Sequence, residues 1–156
     1  MAKRSAGILM YRGRPPQIEL LLVHPGGPFW AKKDLGAWSI PKGEYSQQEA
    51  PLAAAKREFE EETGVRIDGA FVPLGDLVQP GRKIVTAFAL EGDLDPGKLR
   101  SNEFELEWPP RSGRMQRFPE VDAGAWFAFD EAKGRIQPGQ LPILEELAQL
   151  LEERRS

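Results

Sequence analysis

The 156 residues carry a formal net charge of −3, with 40% hydrophobic and 29% charged residues, proportions that favour a folded core over disorder. The length fits one domain over residues 1–156, and the mild acidity argues against a broad positive surface gripping nucleic acid. Cysteine is absent and histidine occurs once, at His24, which excludes disulfides and a cysteine nucleophile and disfavours zinc.

In chain order, the opening "MAKRSAGILMYRGR" has an apolar run too short for a signal peptide or a membrane span, so no membrane partner and a cytoplasmic location are expected. "SAGILMYR" and "IELLLVHP" read as two strands joined by the turn "GRPPQ". A Gly-rich loop, "GGPFWAKKDLGAW", leads through "SIPKGE" to a helical pattern from about Gln48 to Thr63. Ser46 and Glu49 have capping-box spacing, Pro51 suits only a first turn, and Gly64 is placed to end the helix. "AFVPLGDLVQ" and "KIVTAFALEGDL" then read as strands around "PGR", "SNEFELEWPPRSGR" as part of a long loop, and "GAWFAFDEA" as a further strand. Leu144, Leu147, Leu150 and Leu151 recur at helical spacing near the end, giving an amphipathic helix to pack on the sheet. Mixed strands with a middle and a terminal helix indicate a layered α/β domain.

Within the middle helix, "REFEEE" crowds Glu58, Glu60, Glu61 and Glu62 together, an arrangement of like charges that destabilises a helix. At about 100° per residue, Glu58, Glu61 and Glu62 share a face, whereas Glu60 points the other way, toward solvent. Leu52, Ala55 and Phe59 form the apolar stripe that presses the helix onto a sheet, so the acids lie along the edge of a buried contact. A run of acids is commonly a solvated face. Held together and partly desolvated, the same acids suit a hard divalent cation, magnesium or manganese, because oxygen-only ligands match those ions.

The full stretch from Gly43 to Val65, with Glu49, Arg57, Glu58, Glu61, Glu62 and Gly64 at their spacings, resembles the box of the Nudix hydrolase family at every defined position. The resemblance implies an α/β/α sandwich with a central mixed β-sheet and magnesium-dependent hydrolysis of a nucleoside diphosphate linked to another group. It implies Glu58 and Glu62 as principal metal ligands, the Gly43 carbonyl as a further one, and Glu61 as a ligand or as the base that takes a proton from water. Arg57, four residues before Glu61, is placed either to orient that carboxylate or to form a surface ion pair. The family often adds an acid from a later loop. Glu103, Glu105, Glu107 and Glu120 are the candidates here, the first three alternating as in an extended edge segment.

For the substrate, Lys42 precedes the box as a point charge suited to phosphate, and Lys83 within "GRK" and the basic stretch Arg111 to Arg117 are loop cations of the same kind. Trp38 and Trp30 offer faces for a nucleobase or anchors for the loop, and His24 reads as a structural histidine. "WSIPKG" is similar to the branch that hydrolyses diadenosine polyphosphates. The downstream tyrosine often used there to stack adenine is missing, since the only tyrosines are Tyr11 and Tyr45. The expected substrate is a small nucleotide, either a dinucleoside polyphosphate or a nucleoside triphosphate, with nucleic acid disfavoured. The alternative is a non-catalytic nucleotide sensor, which loss of a box acid would favour.

Overall fold

The computed structural model describes residues 3–155; Met1, Ala2 and Ser156 of the expected domain lie outside that range. In chain order the elements are β1 (Lys3–Arg14), β2 (Gln17–Pro25), β3 (Lys42–Glu44), α1 (Pro51–Thr63), β4 (Val72–Gln79), β5 (Lys83–Glu91), β6 (Glu103–Glu107), β7 (Met115–Pro119), β8 (Val121–Ala128), α2 (Phe129–Arg135) and α3 (Leu141–Arg155). Among these residues no helix is long and apolar enough to cross a membrane.

Strand side chains alternate between faces, and in β1 and β2 both sets are apolar. Ala6, Ile8, Met10 and Leu21 join one buried cluster, while Leu9, Tyr11, Leu20 and Leu22 join another. A sheet with two apolar faces needs a layer on each. α1 covers the first with Ala54, Ala55 and Phe59, and α2 and α3 cover the second with Ala132, Ile143, Leu144 and Leu147. The result is an α/β/α sandwich. Its sheet runs β4-β5-β1-β2-β8, with β3 also paired to β1. The β1–β5 pair is parallel, from Lys3 opposite Lys83 to Tyr11 opposite Glu91, and the other pairs are antiparallel, so the sheet is mixed as expected.

Three local expectations are corrected. The helix begins at Pro51 behind Ala50, whose methyl group has no oxygen to cap it, and Glu49 is engaged by Arg57 instead of closing a capping box with Ser46. The stretch read as a loop holds the hairpin β6–β7, a separate two-stranded sheet whose register runs from Glu103 opposite Pro119 to Glu107 opposite Met115. "GAWFAFDEA" is strand only as far as Ala128; Phe129 starts α2, with Asp130 and Glu131 in its first turn, where acids suit the helix dipole.

The end of α1 determines where the site forms. Gly64 closes the helix in the left-handed region at φ 77°, and a Cβ there would stand 2.8 Å from the Arg100 carbonyl oxygen. That closeness lets the segment after β5 satisfy the helix's last carbonyls: Arg100 N–H donates to Thr63 O at 2.9 Å and Asn102 N–H to Glu61 O at 2.7 Å. Glu120 N–H in turn donates to Asn102 O at 2.8 Å, so main-chain bonds alone bring Glu120 to the acidic end of α1.

Candidate active site

On α1, Arg57 gathers three acids. Its Nε and Nη2 donate to the two oxygens of Glu49, both at 2.9 Å, while Nη1 donates to Glu58 at 2.7 Å and to Glu61 at 3.2 Å. The planar guanidinium suits this role because its donors are fixed in one fork. Its hydrogen bonds hold Glu49 below the usual carboxylate range, and Glu49 is the main reason Arg57 keeps its proton more firmly than usual. Arg57 therefore answers part of the like-charge repulsion read from the sequence, between Glu58 and Glu61. Glu60 is exposed and faces away, as its position on the wheel requires.

One turn later the environment changes. Glu62 accepts a hydrogen bond from Lys42 N–H at 3.2 Å, and burial pushes its carboxyl up to about 8, with the charges of Glu58 and Glu120 adding to the effect. Burial also raises Glu58, against the opposing pull of Arg57, and raises Glu120, with Glu61 contributing. Burial lowers the Lys42 ammonium, which Glu62 partly restores and Lys83 depresses further. Glu62, Glu120, Lys42 and Trp30 line one cavity of about 200 Å³, with Val121 and Gln137 among its other walls. β3 supplies Lys42, α1 supplies Glu62, and the bend between β7 and β8 supplies Glu120.

This donor set fits a hard divalent cation. The groups are all oxygens, and three of the carboxylates are desolvated, a state that a dication reverses by favouring their charged forms. Gly43 packs against Glu58 so closely that a Cβ would stand 2.1 Å from its carboxylate, which keeps the Gly43 backbone beside that side chain. Among the described residues, no three acidic or imidazole groups are already gathered as ligands around one point. Arg57 draws Glu58 and Glu61 toward itself, while Glu62 faces Lys42.

The structure separates the other candidates. Of the four later acids, only Glu120 reaches the site. Glu103 and Glu105 sit beside Arg117 at 3.9 and 3.4 Å, and Glu107 accepts the Arg111 and Gly113 N–H groups of its own hairpin turn, so the hairpin uses all three. Trp38, expected to stack substrate, packs its ring against Phe127 and His24 and donates Nε1–H to Asp34 at 2.8 Å, whereas Trp30 is the tryptophan that lines the cavity. Lys83 is exposed at the start of β5 and does not line the cavity; it acts on Lys42 only through its charge. His24 is structural, with Nδ1 2.8 Å from Asp122 and Nε2 2.6 Å from the Lys33 carbonyl. Arg111, Arg114 and Arg117 lie on the exposed hairpin. Sequence reasoning missed the tie between Glu49 and Arg57, although their spacing was visible, because Glu49 also matched a capping position.

The model of the NUDIX domain matches residues 1–147. An RNA pyrophosphohydrolase of Rhizobium meliloti is 28% identical over 165 residues, covering 92% of this chain and 94% of that protein. An octanoyltransferase of Myxococcus xanthus is 33% identical over 133 residues, covering 85% of this chain; the match takes in 33% of that protein's length, so the chain spans about a third of it. The crystal structure of a C. elegans Ap4A hydrolase binary complex aligns with a TM-score of 0.64 and 18% identity, over 96% of this chain and 98% of that one, which is a likeness of fold.

Proposed function

We propose, because this chain belongs to the NUDIX domain family, that it hydrolyses a phosphoanhydride bond in a nucleoside diphosphate linked to another group. Membership and the pyrophosphohydrolase relative support a hydrolase of that bond class. The favoured substrates are a dinucleoside polyphosphate or a nucleoside triphosphate, with Mg²⁺, or Mn²⁺ in its place, held by Glu58, Glu62, Glu61 and the Gly43 carbonyl. Residues 1–156 act as one domain in this reading, in the cytoplasm and on a small nucleotide.

The observation that carries the proposal is the desolvated corner itself: Glu62 and Glu120 line one cavity with Lys42, and Glu58 couples to both acids through its charge. A bound dication there supplies Lewis acidity toward phosphoryl oxygens and acidifies water. The chain's own groups do the rest. Glu58 and Glu62 would hold the ion, and Glu120 adds negative charge from the bend before β8. Arg57 keeps the Glu61 carboxylate oriented so that it accepts a proton from the attacking water. Lys42 brings positive charge to the phosphate oxygens. No covalent intermediate is needed.

A second reading, the 5′-polyphosphate end of RNA, is favoured by the near full-length match to the Rhizobium protein. A panel of dinucleoside polyphosphates, nucleoside triphosphates and a 5′-triphosphorylated RNA oligonucleotide, assayed with and without magnesium and with products identified, tests both. Magnesium-dependent turnover of a small nucleotide at the highest kcat/KM supports the first reading, and the RNA as best substrate supports the second. Tight binding without turnover of any member would overturn both in favour of a nucleotide sensor.

A further inference from the structure

Trp30 differs from the tryptophans that build the fold. Trp38 and Trp126 each spend the indole N–H on a protein acceptor, Asp34 at 2.8 Å and the Leu94 carbonyl at 3.0 Å, and both pack against core clusters. Trp30 is only partly buried, and its indole N–H has no protein partner among the described residues. The backbone that carries it is nonetheless held. Trp30 N–H donates to Gly27 O at 3.4 Å, and Lys33 N–H donates to Trp30 O at 2.9 Å. Lys33 O is in turn held at 2.6 Å by His24, which is itself fixed at 2.8 Å to Asp122. Farther along, Asp34 pairs with Arg135 and Gly36 N–H donates to Gly134 O at 3.0 Å. At the near end, Gly26 N–H donates to the Glu120 carbonyl at 2.9 Å, and a Cβ on Gly26 would collide with Pro119. The loop is thus tied at its near end to Glu120 and at its far end to α2.

The cavity that Trp30 enters also holds Lys42 and Glu62. Lys33 caps one face of the Trp30 ring, its Nζ 5.3 Å from the centroid. A ligand that meets both Lys42 and the Trp30 ring in this cavity carries an anionic group and a flat π system, and a nucleotide meets that description. Resting on the proposed hydrolase reading, we infer that Trp30 is a substrate-binding residue of the site: it stacks the nucleobase of the nucleoside whose diphosphate is cleaved. The tied loop places the Trp30 backbone beside the cavity, so little main-chain ordering accompanies binding. Neighbouring Phe29, 59% exposed and edge-on to Trp108 at 5.3 Å, extends the aromatic wall toward the hairpin.

The test uses the full chain, Trp30→Ala and Trp30→Phe, with thermal melts confirming that each folds. Calorimetric binding is measured for the four nucleoside monophosphates and for ribose 5-phosphate, and turnover for ATP and for inorganic tripolyphosphate. Trp30→Ala should weaken the tightest-binding monophosphate by about ten- to a hundred-fold while changing ribose 5-phosphate by less than about two-fold, and Trp30→Phe should restore most of the loss. In turnover, KM for ATP should rise with kcat little changed, and tripolyphosphate should be unaffected. Equal losses with and without a base, or a wild type that binds no monophosphate, would overturn the assignment. A wild type that binds monophosphate through Trp30 but cleaves nothing would instead sink the hydrolase reading and leave the base site standing.

Discussion

α1 and α3 pack on opposite faces of one sheet, and both are rich in glutamate, yet they treat their acids in opposite ways. α3 buries Ile143, Leu144 and Leu147 and leaves Glu145 and Glu146 exposed, the usual solution for an amphipathic helix. α1 buries Phe59, Ala54 and Ala55 but takes Glu58 in with them, at 8% exposure. The adjoining turn carries Glu62 into a corner where burial holds its carboxyl up near 8. Desolvating a carboxylate opposes folding unless a partner compensates, so a helix that does this where its sister does not marks the functional side. Arg57 compensates at one end of the cluster; at the other, Glu62 has a single main-chain donor and Lys42.

The largest effect that separates the two helices should come from Glu58→Gln or Glu62→Gln. Either should lower turnover of the best substrate by about two to four orders of magnitude in steady-state assays, with an unchanged circular dichroism spectrum. On the other face, Leu147→Ala should cost about 2–5 kcal/mol in urea unfolding while leaving turnover per folded molecule intact, because the cavity it opens lies away from the acids. Arg57→Lys, which keeps the charge but loses the fork, should lower kcat by about ten- to a hundred-fold, with KM moving less. Combining it with Glu49→Gln should add little, since both changes break the same pair.

A pH series sharpens the contrast further. Glu62 ionises near 4.5 when unfolded and near 8 when folded, so between those values the folded state keeps a proton that the unfolded state has lost. The melting temperature of the metal-free protein should therefore fall as pH climbs from about 4.5 to about 8. Glu62→Gln should flatten that slope, and magnesium with nucleotide should oppose it by favouring the charged carboxylate. The smallest effect is expected from Glu146→Gln on α3, within about 0.5 kcal/mol and without change in turnover. A large effect there would undo the distinction between the helices.

Much of this contrast was legible before any coordinates. The leucine spacing of α3, the stripe of Leu52, Ala55 and Phe59 and the outward turn of Glu60 all follow from helical periodicity, which is a local property. The hairpin β6–β7 was not legible, because alternating acids in "NEFELEW" look the same in a solvated loop and in an edge strand until a partner strand is seen. The choice among Glu103, Glu105, Glu107 and Glu120 was likewise undetermined: no local pattern records that Asn102 bonds to the end of α1 and then receives Glu120 N–H. Trp30 and Trp38 were indistinguishable for the same reason, since only the packing of Phe127 and His24 shows which ring the core takes.

The sequence by itself therefore determined the family, the layered α/β class and the helix that concentrates carboxylates, because spacing along one chain sets which side chains share a face. Tertiary structure decided which distant acid joins them, which tryptophan is left free and how far each charge is removed from water. Those outcomes depend on contacts between segments far apart in the chain, and on the burial that such contacts create.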